Sequence, residues 1–208
     1  MVTGDRIPKA PATPDALKSF PDETVPLGTE VWRVHGAGYG PWFFGETQRF
    51  SLQSPNGTCH VALNSNTAVL ETVVRGARAV ALIDLQTRRI RRLRLPRAFR
   101  VANFFDPLAT GWGVTRRFGT DFPYDRCQGW ASAFKTDGFG GIRFWANHDV
   151  TDAGVSLALF GPVGERKGWA RGTAERLDSA YWLDVLRSEL GIGVFDTHST
   201  GLTFGPLN

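Results

Sequence analysis

The pattern of apolar and polar positions changes at Glu30. Before it, Pro8, Pro11, Pro14, Pro21 and Pro26 interrupt a stretch with little periodicity, so residues 1–28 read as a proline-rich tail. That tail admits one short helix, with Thr13 as N-cap and Pro14 at its first position, and it either packs on the domain or contacts a partner. From Glu30 onward the texture is that of a folded domain, residues 29–208. Glu30-Val-Trp-Arg-Val-His35 predicts a strand, and Gly36 to Phe50 a loop rich in glycine and aromatics. Cys59 to Leu63 predicts a short apolar strand after the turn Pro55-Asn56-Gly57. A helix follows from Thr67 to Arg75, capped by Asn66. Val69, Leu70, Val73 and Val74 share its buried face, and Glu71 lies at that face's edge, able to reach a cleft beside the core.

Further along, Ala79 to Leu85 and Arg91 to Leu95 predict strands, whereas Ala98 to Arg117 fits no single period. Tyr124 to Lys135 predicts a helix, Asp137 to Gly141 a turn, and Gly141–Ala146 and Val155–Phe160 strands. A longer amphipathic helix is expected over Ala174–Leu190, with Thr173 as N-cap and Gly191 as its stop, and then an edge strand over Ile192–Phe195. No internal repeat is visible. Strands and helices without regular βαβ alternation predict an α/β protein of the α+β type.

Composition narrows the class. A chain of 208 residues, 42% hydrophobic and 21% charged, suits one globular domain with a substantial core. Its 7 Trp and 15 Phe suit either core packing or a pocket for a flat ligand. A net charge of +4 favours anionic ligands or acidic partners but is too small to imply nucleic acid. Cys59 and Cys127 form no metal-like or disulfide framework, which suits a reducing cytoplasm. The sequence has no apolar run of membrane-spanning length and no apolar signal core, so a soluble protein without a membrane partner is expected.

Candidate chemistry lies in the first apolar half. Arg33 and Arg49 stand among aromatic and aliphatic residues, where a planar fork of donors suits phosphate or carboxylate. Stacking on Trp32 or Trp42, or pairing with an acid, would also explain them. Glu71 either stabilises a developing positive charge and handles a proton, or flanks a solvated helix. His60 either meets a ligand or is structural. Asn147-His148-Asp149 ends a strand, a common place for functional residues, but His35, His60, His148 and His198 show no metal-ligand spacing, so no metal is expected. The basic run Arg88 to Arg97 either binds an acidic partner or nucleic acid, or forms a solvated strand face over Ile90, Leu93 and Leu95. Phosphate-cradling glycine loops and the GxSxG elbow are absent.

Taken in order, these segments resemble the RES domain family, whose members are mostly toxins of bacterial toxin–antitoxin pairs. The resemblance covers Glu30 to Gly161. Trp32-Arg33-Val34-His35 is similar to the family's opening strand, and Arg49-Phe50 to its second arginine. Gly57–Leu63 is similar to the strand that usually carries a tyrosine, and Asn66–Glu71 to the glutamate helix. Tyr124–Ala131 is similar to the helix before the final motif, and Gly141–Ala146 with Leu157–Phe160 to the closing strands. This chain departs at two positions: His60 stands where the family has tyrosine, and Ala146 where it has serine.

The resemblance implies a mixed central sheet flanked by helices, similar to the ADP-ribosyltransferase fold, acting on NAD. Arg33 and Arg49 would hold the pyrophosphate, and Trp42, Phe44 or Trp145 would stack on a base. Glu71 would stabilise the ribosyl centre, His60 would place the ribose, and Asn147 could supply the polar group missing at Ala146. The implied activity is cleavage of the nicotinamide–ribose bond by phosphate or water, with no cofactor beyond NAD as substrate. The implied partner is a helix-turn-helix antitoxin of the Xre type that plugs the cleft, so nucleic acid would be reached only through it. Two other readings stay open: a RES-fold protein that binds a partner or nucleotide without catalysis, and a protein ADP-ribosyltransferase. A nucleic-acid binder using Arg88–Arg97 ranks last.

Overall fold

Strands buried on at least one face supply the frame. The computed structural model describes residues 7–13, 15–118 and 123–196. In chain order its elements begin with β1 (Asp22–Val25), β2 (Glu30–Gly36), β3 (Phe43–Phe44) and β4 (Asn56–Ala62). Helix α1 (Ser65–Val69) runs directly into a π-helical turn, Leu70–Val74. Next come β5 (Ala79–Ala81), α2 (Leu82–Gln86), β6 (Arg88–Arg94), β7 (Phe99–Asn103) and a 3-10 turn, Pro107–Trp112. The remainder is α3 (Asp125–Thr136), β8 (Gly141–Trp145), β9 (Val155–Pro162), β10 (Gly164–Glu165) and β11 (Ala174–Arg176). Then α4 (Ala180–Asp184) continues as a π-helical turn, Val185–Glu189, before β12 (Gly193–Phe195).

Eight strands join one mixed sheet in the order β1-β7-β8-β9-β4-β2-β6-β11, in which β7 and β8 run parallel. Two small sheets, β3 with β10 and β5 with β12, flank it. The α/β expectation of a mixed sheet with flanking helices therefore holds.

Strand alternation sorts the core into three clusters. On one face, Phe20, Trp130, Phe134, Ile142, Phe144 and Ala158 pack beneath α3. On that same face, Val34, Val69, Ile90, Trp182 and Leu186 pack beneath α1 and α4. The opposite face carries Val31, Cys59, Val61, Leu157 and Leu159, covered by Trp42 and Phe44.

The sheet is split down its middle. β2 pairs with β6 from Glu30 to Gly36, and β4 pairs with β9 from Asn56 to Ala62, but β2 and β4 meet only at Trp32↔Ala62. Past that rung the two strands diverge. β3 then crosses β4 through the Gly45↔Thr58 bridge, and the approach requires glycine at 57: a Cβ there would lie 2.8 Å from the Phe44 carbonyl oxygen.

Of the two alternatives for the proline-rich segment the structure shows packing on the domain, and it corrects four local expectations. The proline-rich segment is built into the domain: Ile7, Leu17 and Phe20 are buried, β1 pairs with β7, and Trp130 Nε1 donates to the Pro8 carbonyl at 2.9 Å. Asp137 ties the segment down by accepting the amides of Asp15 (2.8 Å) and Leu17 (2.6 Å). Residues 15–19 form turns rather than a helix, and Pro14 lies outside the described residues. The apolar run from Ala79 is a strand only to Ala81 and then turns helical, an ambiguity that periodicity alone does not resolve. The helix expected from Ala174 starts at Ala180 behind Ser179; residues 174–176 instead satisfy the outer backbone edge of β6. Asn64, not Asn66, caps α1, its Oδ1 accepting the Thr67 amide at 2.7 Å.

Cys59 and Cys127 are both buried and free. Among the described residues no helix is long and apolar enough to cross a membrane.

Candidate active site

The divergence of β2 and β4 opens a cleft of about 510 Å³ between the α3 half and the α1–α4 half of the molecule. Arg33, Arg49, His60, Glu71 and Asn147 all line it, so the split sheet brings these expected site residues together. Trp42, Phe44 and Trp145 do not line it. Trp42 and Phe44 are buried on the opposite face of the sheet, packed edge-on against Trp169. Trp145 alternates with the cleft-facing Phe144 and packs on Phe105 instead. The aromatic walls are Trp32, Phe43, Tyr124 and Phe144. Knowing the register would have found Phe43 and Phe144, since each is one residue from an expected aromatic.

Glu71 is the best-held group in the cleft. The π-helical turn carries it at the face's edge, with the Arg75 amide reaching back to the Leu70 carbonyl at 2.8 Å. One carboxylate oxygen pairs with Arg49, and the other accepts the His148 amide at 2.5 Å. The two side chains are only 11% and 14% exposed, so the pair is largely screened from water. The Arg49 guanidinium also lies 4.9 Å from the centre of the Phe144 ring.

Its neighbour Phe50 adopts φ 57, a left-handed conformation that costs energy for a non-glycine residue. Thr58 holds it there, its hydroxyl donating to the Phe50 carbonyl (3.0 Å) and accepting the Leu52 amide (3.1 Å). The strained turn thus aims Arg49 at Glu71.

His60 is neutral. Burial first, and then the charge of Arg49, push its pKa down to about 3. Nε2 lies 2.8 Å from the Arg49 carbonyl, which can only accept, so Nε2 carries the proton and Nδ1 is left as an acceptor.

Arg33 lines the cleft with its Nη1 already engaged, by the Pro41 carbonyl at 2.5 Å and Cys59 Sγ at 2.7 Å. Burial raises the Cys59 thiol pKa against the opposing charge of Arg33. Arg75, which the sequence did not single out, lines the same cleft, is exposed, and makes no ion pair with any described residue.

The loop between β8 and β9 supplies the donor to Glu71. Asp149, buried at 8% exposure, accepts from the hydroxyl of Thr67 on α1 and from the amide (3.0 Å) and hydroxyl (2.6 Å) of Thr151. Burial acts to raise its pKa, but these hydrogen bonds outweigh it and leave the carboxyl lowered. Asn64 Nδ2 donates to the Ala153 carbonyl at 3.0 Å, a second tie to the same helix. The function expected of Asn147-His148-Asp149 is thus divided: cleft lining for the first two, anchorage for the third.

The basic run forms β6. Ile90 and Leu93 are buried, Arg92 pairs with Glu30, and Arg91 donates to the Arg171 (3.1 Å) and Gly172 (2.9 Å) carbonyls. Among the described residues no three His, Cys, Asp or Glu side chains gather as metal ligands would.

A split mixed sheet thus places a clamped carboxylate, a neutral imidazole and arginines around one cleft. The RES domain profile matches residues 30–178, and the chain belongs to the RES domain family. The fold is similar to a chain from the crystal structure of the M. tuberculosis MbcT–MbcA toxin–antitoxin complex. That likeness has a TM-score of 0.51 and 18% identity, and covers 74% of this chain and 83% of the other. No curated protein matches the chain at a significant level.

Proposed function

We propose that this chain is the toxin of a toxin–antitoxin pair and that it consumes NAD by cleaving the nicotinamide–ribose bond. The observation that carries the reading is Glu71, a carboxylate fixed inside the cleft by Arg49 and the His148 amide. When the bond breaks, nicotinamide leaves with the electron pair and loses its positive charge. The ribosyl carbon becomes oxocarbenium-like, and a carboxylate already in place stabilises that charge without reorganising. Phosphate or water completes the transfer, and Glu71 orients it or takes its proton.

Arg75 and Arg33 supply positive charge for the pyrophosphate, Trp32, Phe43, Phe144 and Tyr124 flank a flat base, and His60 accepts from a ribose hydroxyl through Nδ1. NAD is the substrate, and the chemistry asks for no other cofactor. A cytoplasmic setting suits two buried free thiols and an NAD-consuming activity. A partner of the helix-turn-helix antitoxin type, inserting an acidic segment into the arginine-lined cleft, suits both the net charge of +4 and the likeness to a toxin from a toxin–antitoxin complex.

The test is nicotinamide release from NAD by purified protein, with product analysis. ADP-ribose phosphate formed only with phosphate present identifies phosphorolysis, ADP-ribose identifies hydrolysis, and label retained on protein identifies ADP-ribosylation. One observation favours a second reading, a nucleotide-binding protein without turnover: a methyl, Ala146, where the resemblance calls for serine. Tight NAD binding without nicotinamide release, with turnover gained in Ala146→Ser, would support that reading over the first.

A further inference from the structure

The floor of the cleft carries a polar group that Glu71 and its clamp do not use. Ser156 lies on β9, opposite Ala62 of β4 on one side and Phe144 of β8 on the other. It lines the cleft, is 5% exposed, and its hydroxyl has no hydrogen-bond partner among the described residues. The hydroxyl is not among the buried unpaired polar atoms, so it opens onto the cleft, and both neighbours on its rung are apolar. Such a hydroxyl on a cleft floor is free to bond what enters the cleft.

The register shows what. His60 opposes Ala158 and is therefore the diagonal neighbour of Ser156 on the same face. Diagonal partners across an antiparallel pair stand roughly 7–8 Å apart at Cα, with side chains nearer. His60 offers a bare acceptor at Nδ1, and Ser156 offers a hydroxyl that both donates and accepts. Two adjacent sugar hydroxyls, each making a bond of about 2.8 Å, span such a pair. Ala146 follows the end of β8, two residues past Phe144, its amide bonded to the Gly154 carbonyl at 2.8 Å.

We infer that Ser156 is a ligand-binding residue of this cleft, holding a sugar hydroxyl of the bound nucleotide beside His60. The inference rests on the NAD reading of the cleft, and its test separates the two. NAD and an analogue lacking the 2′-hydroxyl of the nicotinamide ribose, and another lacking the 3′-hydroxyl, are titrated against wild type and Ser156→Ala by calorimetry. Nicotinamide release and melting temperature are recorded alongside.

Ser156→Ala is expected to weaken NAD binding about tenfold without lowering the melting temperature, and to bind one of the two deoxy analogues as well as wild type does. NAD binding by wild type without nicotinamide release sinks the proposed activity but leaves Ser156 to be decided by its dissociation constant. Unchanged NAD binding in Ser156→Ala, an equal loss on both analogues, or no NAD binding by wild type overturns the inference.

Discussion

At the residue scale the cleft turns on the charge pair Arg49–Glu71. Arg49 and Glu71 are 11% and 14% exposed, so removing one partner strands the other in a poorly solvated cleft. Arg49→Ala is expected to destabilise the fold by about 1–3 kcal/mol in urea or thermal melts, and Glu71→Gln by less, because the amide keeps the volume and one acceptor. His60 gives a prediction with a definite sign. Its folded pKa, about 3, lies below the unfolded value near 6.5, so the unfolded chain binds the extra proton between them. The stability it contributes is full above about pH 6.5 and is lost as pH falls toward 3, at up to about 1.4 kcal/mol per unit. His60→Gln, compared with wild type in denaturant melts from pH 7 to pH 4, should lose less stability on acidification. Arg33, Arg49, His60, Glu71 and Asn147 were legible in the sequence because polar groups among apolar residues need a partner or a ligand. Trp42, Phe44 and Trp145 were misread because adjacent strand residues face opposite ways, and only the register says which of Phe43 and Phe44 meets the cleft.

At the element scale the glutamate depends on how two segments are tied. The β8–β9 loop presents the His148 amide to Glu71, and Asp149 fastens that loop to α1 through Thr67. Thr67→Val keeps the shape of a fully buried side chain and removes the donor. It should lower the rate of NAD cleavage about tenfold with little change in KM, whereas Thr67→Ser should restore the rate; equal rates in all three would mean the tie is structural only. Element types were legible where periodicity ran long, as in β2 and α3. They failed where tertiary context decides, as at residues 174–176, which become a strand because β6 has a free edge to satisfy.

At the scale of the molecule, the cleft exists because a sheet is pulled open between two cores. The α3 half is closed by the segment ahead of β1, which carries Phe20 at 2% exposure against Phe104, Trp112 and Phe134. Phe20→Ala is expected to cost about 3–5 kcal/mol and lower the melting temperature by roughly 10 °C. That dependence was invisible in the sequence, since single apolar anchors between prolines have no period, and the family match itself begins at residue 30. The central claim is that this cleft breaks NAD through Glu71. Nicotinamide release by wild type and by Glu71→Gln, at saturating NAD with phosphate and at a temperature where both proteins are folded, tests it most directly. A loss of at least about a hundredfold in the variant is the result the account requires; equal rates in the two proteins, or none in wild type, would contradict it.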